Sequence, residues 1–186
     1  MKPIVIGFAG RAEVGKTTIA NALATNLRQR GHSVSVAPFA APVKRIAREM
    51  GWDGAKDAKG RRLLQLLGTE CGRECIGPDV WVDLWRRENI DRVPIPFDVL
   101  IIDDVRFLNE AAMIRELDGP VYEVRRRSRL PWWRRVWSRL RRHASERVPI
   151  KPDGVILNYG TKGDLESIAD RIAGEVAARV RKERGE

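Results

Sequence analysis

The sequence predicts an α/β fold, a parallel sheet covered by helices on both faces. Three observations lead there. Ile4 to Phe8 and Val99 to Ile102 are apolar runs of strand length without alternation, as strands buried on both faces are. Other segments space their apolar residues at helical intervals. The two kinds alternate along the chain, so the strands are joined by crossovers and run parallel.

Each element has its own warrant. Ile4 to Phe8 contains Gly7 and leads into a glycine-containing loop. Thr17 to Arg30 carries alanine, leucine and isoleucine at helical spacing, with Gly31 as a C-terminal stop. His32 to Phe39 alternates around Val34 and Val36 and predicts a second strand. Pro42 suits the first turn of a helix running to about Met50. Gly51 to Gly60 is a connector, after which Arg61 to Leu67 and Val80 to Arg87 predict two helices separated by a Gly-Pro turn. Val99 to Ile102 predicts a buried strand with Asp103 at its carboxyl end. Asn109 to Leu117 predicts a helix, and Val121 to Val124 and Val155 to Leu157 two strands. Asp164 to Arg181 closes the chain as an amphipathic helix with Leu165, Ile168, Ile172, Val176 and Val180 along one face.

Composition narrows the classes. The 186 residues hold 43% hydrophobic side chains, enough for one folded core. No apolar run approaches the ~20 residues of a membrane-spanning helix. The N-terminus enters a strand-like run directly and does not resemble a signal peptide, so a cytoplasmic protein, bacterial or in a phage-infected host, is expected. Cys71 and Cys75 stand without further ligands nearby, which is poor evidence for a metal site. The formal charge of +10 suits a partner rich in phosphate, whether polymer, membrane surface or small molecule. Its densest cluster lies between Arg125 and Arg147.

Gly10-Arg11-Ala12-Glu13-Val14-Gly15-Lys16-Thr17 satisfies the pattern G-x-x-x-x-G-K-[ST] between a strand and a helix. Glycines let the backbone curl so that successive N–H groups face an anion, and the helix N-terminus adds partial positive charge. The fold is therefore expected to be that of the P-loop NTPases. Gly10 to Thr18 would hold ATP, with Lys16 reaching the β- and γ-phosphates and the Thr17 hydroxyl on Mg²⁺. Asp103, or alternatively Asp104, would supply the second metal-holding carboxylate.

The remaining strings carry a resemblance. Pro38 to Lys44, Leu64 to Glu70, Gly72-Arg73, Ile76 to Val82, Asp104 to Ala111 and His143 to Glu146 occur in an order similar to that of the phage-type deoxynucleoside monophosphate kinases. The resemblance spans about Ile4 to Asn158. It implies ATP-dependent phosphorylation of a deoxynucleoside monophosphate on a core like that of adenylate kinase. One domain over residues 1–186 is then expected, with its core at 1–40, 93–125 and 148–186. A monophosphate-binding helical insertion would occupy 41–92 and a basic lid 126–147. Thr17 and the lid residues Trp132, Trp133 and Trp137 depart from the family pattern.

On that reading the acceptor oxygen is already ionised near neutral pH, its second pKa being about 6, so no general base is required. Catalysis reduces to positioning and charge neutralisation. Lys16 and Arg73 are the expected catalytic cations, with Arg127 and Arg129 from the lid. A guanidinium fork suits Arg73 to the acceptor phosphate, and Lys44 and Arg106 are further candidates. Gln65, Thr69, Glu70, Asp79, Trp81, Asn109 and Glu110 complete the expected substrate set. Trp81 equally suits a core position, and Asn109 and Glu110 equally suit a helix start. Arg134, Arg135, Arg139, Arg141 and Arg142 lie with Trp132, Trp133 and Trp137 on a basic amphipathic segment. The expected partners are ATP and a nucleoside monophosphate, without membrane or specific nucleic acid; a homodimer is compatible with the sequence. The alternative is a P-loop regulatory or partitioning ATPase that binds nucleic acid through the basic segment. Partitioning ATPases carry a second lysine near the start of the loop, where this chain has Arg11-Ala12-Glu13.

Overall fold

The computed structural model describes residues 2–91, 95–126, 150–160 and 162–185. Its chain forms two compact units, Met1–Val36 with Pro96–Glu186, and Ala37–Ile95.

The first unit is built on a five-stranded parallel sheet. Strands β1 (Ile4–Ala9), β2 (Val34–Val36), β3 (Val99–Val105), β4 (Val121–Arg126) and β5 (Gly154–Asn158) lie in the order β2-β3-β1-β4-β5. Helix α1 (Lys16–Gln29) follows β1 through the glycine-containing loop. On one face of β1, Ile4, Ile6 and Phe8 pack with Ile19, Leu23 and Leu27 of α1. The same cluster takes in Leu165, Ala169, Ile172, Ala173, Val176 and Val180 of the closing helix Lys162–Arg184. Side chains alternate across a strand, so Val5, Gly7 and Ala9 face the other side. There a methyl group on Gly7 would lie 2.6 Å from Ile114 Cδ1, on the helix Leu108–Glu116. The sheet is thus covered on both faces, as the unbroken apolar strands require.

In the second unit, α2 (Ala41–Glu49) and α3 (Ala58–Gln65) are followed by a π-helical stretch, Leu66–Glu74, and by α4 (Val80–Asn89). The helices after β3 and β5 are α5 (Leu108–Glu116) and α6 (Lys162–Arg184). Trp85 is fully buried, packs against Phe39 in a tilted pair with 4.9 Å between centroids, and donates its indole N–H to the Ala37 carbonyl at 2.9 Å. An aromatic pair of this kind adds about 0.5–1.5 kcal/mol beyond burial.

Four boundaries differ from expectation for identifiable reasons. The second strand is confined to Val34–Val36, because Pro38 lacks a ladder donor and Ser33 already gives its N–H to the Asp98 carboxylate at 2.9 Å. Strand β3 continues to Val105, since Ala9 pairs with Val105 after a register shift, so Asp103 lies within the strand and not at its end. The helix expected over Arg61 to Leu67 begins at Ala58, where the Asp57 carboxylate accepts the Gly60 N–H at 2.7 Å as an N-cap. It then runs on past Leu67 as the π-helical stretch to Glu74, which places Thr69, Glu70 and Arg73 on helix and leaves the expected Gly-Pro turn at Gly77 and Pro78. Gly72 allows this, because a methyl group there would lie 2.5 Å from the Trp81 ring. The closing helix is longer than expected at both ends, and Arg184 in its last turn pairs with Asp98 at 2.6 Å. No helix among the described residues is long and apolar enough to cross a membrane.

Candidate phosphate-binding site

The loop between β1 and α1 is constrained at four points. Gly10 sits at φ +129, and a methyl group there would lie 2.5 Å from the Val124 carbonyl of the adjoining strand. Glu13 holds a left-handed φ of +62, a conformation that non-glycine residues seldom adopt and that concentrates at functional sites. Val14 is buried. Gly15, the N-cap of α1, sits at φ +104 with no room for a side chain, because its Cβ would meet Asn158 Nδ2 at 2.8 Å and Leu165 Cδ1 at 2.9 Å.

Lys16 folds back over this loop. Its ammonium donates to the Gly10 carbonyl at 2.8 Å and to the Arg11 carbonyl at 2.6 Å. The cation is therefore held at the opening of the loop, whose other end presents the first N–H groups of α1. Those groups have no partner within the helix, and with the helix dipole they favour an anion. Arg11, Ala12 and Glu13 are exposed on the loop, as are Thr17 and Thr18 at the start of the helix. Thr17, Thr18, Asn21, Thr25, Glu166 and Asp170 line a polar groove shared by α1 and α6.

Thr17 and Asp103 are 86 residues apart in sequence, yet the threonine hydroxyl donates to Asp103 Oδ2 at 2.6 Å. The parallel pairing of β1 with β3 brings them together. Asp104 is the next residue on the strand, where β3 carries one residue more than β1 between the Gly7–Ile102 and Ala9–Val105 pairs. The Thr17 hydroxyl associates Asp103 with the loop. A hydroxyl and a carboxylate are hard oxygen ligands, the chemistry Mg²⁺ requires. The pair fits that ion.

The other residues singled out from sequence are distributed over the chain. Lys44 is half-buried on α2, and Gln65 ends α3. Thr69, Glu70 and Arg73 lie on the π-helical stretch, where Glu70 faces Arg62 at 3.3 Å and Arg73 donates to the Pro78 carbonyl at 3.0 Å. Asp79 precedes α4, and Trp81 within it is buried, its indole N–H on the Gly68 carbonyl at 2.8 Å. All seven belong to the Ala37–Ile95 unit. Arg106, Asn109 and Glu110 belong to the other. Glu110 is 3% exposed, and its carboxylate accepts the backbone N–H groups of Arg106 at 2.7 Å and Phe107 at 3.1 Å. It closes the N-terminus of α5, the helix-start role weighed for it above. Asn109 Oδ1 accepts from the Glu110 N–H at 3.0 Å. Before the basic segment, Arg125 pairs with Glu123 at 2.7 Å, and that carboxylate holds its guanidinium above the ordinary value. Arg127, Arg129 and the rest of the expected lid beyond Arg126 lie outside the described residues.

Sequence reasoning passed over Asn158. It ends β5, is 7% exposed, and donates its amide to the Val14 carbonyl of the loop at 2.9 Å. The available signal was a polar residue closing an otherwise apolar strand, the same signal that drew attention to Asp103.

The strand, loop, helix and neighbouring acidic strand together make this an α/β P-loop fold. No family model matches the chain. Over 56 residues it is 39% identical to the deoxynucleoside-5'-monophosphate kinase of Escherichia phage T5, a match covering 30% of this chain. The match spans only 21% of the phage protein's length. Among solved structures, APE1195 superposes with a TM-score of 0.54 at 16% identity, covering 96% of this chain and 97% of that one. TT1252 from Thermus thermophilus gives 0.51 at 22% identity, covering 94% and 98%. At these identities the structural likeness is one of fold.

Proposed function

We propose that the chain transfers the γ-phosphoryl group of ATP to a deoxynucleoside monophosphate. The observation that carries this reading is the complete phosphate loop with Lys16 folded over it and Thr17 bonded to Asp103. The local identity to a phage deoxynucleoside monophosphate kinase supports the choice of acceptor. So does the ordered set of shared strings that runs through the Ala37–Ile95 unit.

The chemistry asks little of side chains beyond placement and charge. The transferring group spreads negative charge over its oxygens, and stabilising that charge is the larger part of the catalysis. Lys16 and the loop N–H groups meet the donor phosphates. Thr17 and Asp103 would hold Mg²⁺, which supplies charge neutralisation on the phosphate chain when bound. Arg73 is assigned to the acceptor phosphate, since its planar fork can grip two oxygens at once. The acceptor attacks as an ionised phosphate oxygen, so neither His32 nor His143 has a proton to remove.

A coupled assay of ADP formation against a panel of ribo- and deoxyribonucleoside monophosphates tests the proposal. ADP formation should depend on a monophosphate and consume it stoichiometrically. ADP formation that ignores every monophosphate but rises with nucleic acid would overturn it and favour the regulatory or partitioning ATPase.

A further inference from the structure

We infer that Asn158 is a positioning residue for the phosphate loop, setting the direction of the Gly15 N–H through the carbonyl of Val14. The inference rests on the reading of Gly10 to Thr17 as a phosphate-binding loop. Three polar or charged residues are buried among those described: Asp98, Glu110 and Asn158. Asp98 ties Ser33 to Arg184, and Glu110 closes α5. Asn158 gives its amide N–H to the loop.

Its amide is used at both ends. Nδ2 donates to the Val14 carbonyl at 2.9 Å, and Oδ1 accepts the Gly160 N–H at 2.8 Å. The arrangement admits a single amide orientation, because reversing it would set oxygen against the Val14 carbonyl and nitrogen against the Gly160 N–H. The peptide joining Val14 to Gly15 is planar, and in the trans form its C=O and N–H point in opposite directions. A carbonyl held outward by Asn158 therefore turns the Gly15 N–H inward, where a phosphate oxygen can accept it. Gly15 is pressed against the same side chain, which leaves the peptide little room to rotate. The amide acts on the ligand through this peptide plane and touches no reacting atom.

Asparagine is the residue this task needs. Aspartate has the same shape but no donor when ionised, and it would set a negative charge beside a carbonyl oxygen and near the phosphates. The test is titration calorimetry of ATP and of inorganic tripolyphosphate with the full chain and its Asn158→Asp and Asn158→Ser variants, with melting temperatures measured alongside. Both variants should bind ATP and tripolyphosphate about 5- to 150-fold more weakly, the equivalent of leaving one buried carbonyl unpaired. They should do so at temperatures where they remain folded. Amide hydrogen exchange supplies a second readout: the amides of residues 14–17 should exchange faster in Asn158→Ser, while those of Leu23 to Leu27 keep their protection. Unchanged affinity in a variant whose melting temperature has dropped would make Asn158 a structural residue only and sink the inference. If the unaltered chain itself fails to bind tripolyphosphate and ATP, the phosphate-loop reading falls, and this inference with it.

Discussion

Replacing Gly15 by alanine adds one methyl group at a point where the loop, β5 and α6 converge. Two penalties follow, and they can be separated. The first is conformational: φ is +104, a region that L side chains rarely occupy, and holding a non-glycine residue there costs about 1–3 kcal/mol. The second is steric. The new Cβ would lie 2.8 Å from Asn158 Nδ2 and 2.9 Å from Leu165 Cδ1, both closer than real contacts allow. Neither neighbour is a loose surface group, since Asn158 is held at both ends and Leu165 is 2% exposed. Overpacking of this kind costs about 1–3 kcal/mol.

Gly160 provides the control. Its φ of +107 is nearly the same, but nothing lies within 4 Å of its Cβ position. Gly160→Ala should therefore incur the conformational penalty alone, and the difference between the two variants isolates the steric one. For a domain of this size each kcal/mol moves the melting temperature by about 2–4 °C. Gly15→Ala should thus melt roughly 2–12 °C below Gly160→Ala by scanning calorimetry. It should also bind ATP more weakly, because whichever neighbour yields, the loop moves. Equal melting temperatures and equal ATP affinities in the two variants would refute the claim that packing against Asn158 and Leu165 constrains the loop.

Three further outcomes are expected. Lys16→Ala should keep its circular dichroism spectrum while turnover in the ADP-coupled assay falls about 100- to 1000-fold, the usual effect of losing one charge-stabilising donor; near-normal turnover would remove Lys16 from the chemistry. Thr17→Val removes an oxygen that Mg²⁺ would use, so half-maximal activity should need a higher Mg²⁺ concentration, and an unshifted Mg²⁺ titration would argue against the Thr17 and Asp103 pair as its holder. Burial pushes the Asp98 carboxyl up, but hydrogen bonds from the Ser33 backbone, from Arg184 and from the Ser33 hydroxyl prevail and hold it below its ordinary value. Its contribution is then complete above the unfolded value near ~3.9 and is lost as pH falls through the lower folded one. Urea midpoints between pH 6 and pH 2 should therefore fall more steeply for the unaltered chain than for Asp98→Asn, and parallel curves would contradict the assignment.

What the sequence discloses follows the distance over which each feature is specified. The phosphate loop is contiguous, and the strand before it and the helix after it have unambiguous apolar patterns, so its place in the fold is legible without a structure. Asp103 is legible at one remove, since an acidic residue at the end of four apolar ones invites an explanation. The extension of β3 past it is not, because that depends on a register shift between β1 and β3. The helical continuation past Leu67 is not legible either. Glycine signals a turn when nothing opposes it, but at Gly72 the missing side chain makes room for the Trp81 ring, and that contact keeps a helical stretch going.

Asn158 is the most instructive case. Its partner Val14 lies 144 residues away, and no local pattern connects them. Yet Asp103 and Asn158 both lie toward the carboxyl ends of apolar β-strands of one sheet. A parallel sheet delivers its strand ends to the loops that join strands and helices, where backbone groups leave regular structure and need partners. A polar side chain placed there is near such groups whichever strand carries it. The sequence can therefore mark these residues as candidates, while the order of the strands decides which loop each one serves. With β4 between them in the sheet, β5 reaches the β1 loop because Asn158 pairs with Arg126, past the last β1–β4 pair at Ala9 and Glu123, and it is that reach, not its identity alone, that makes it part of the phosphate site.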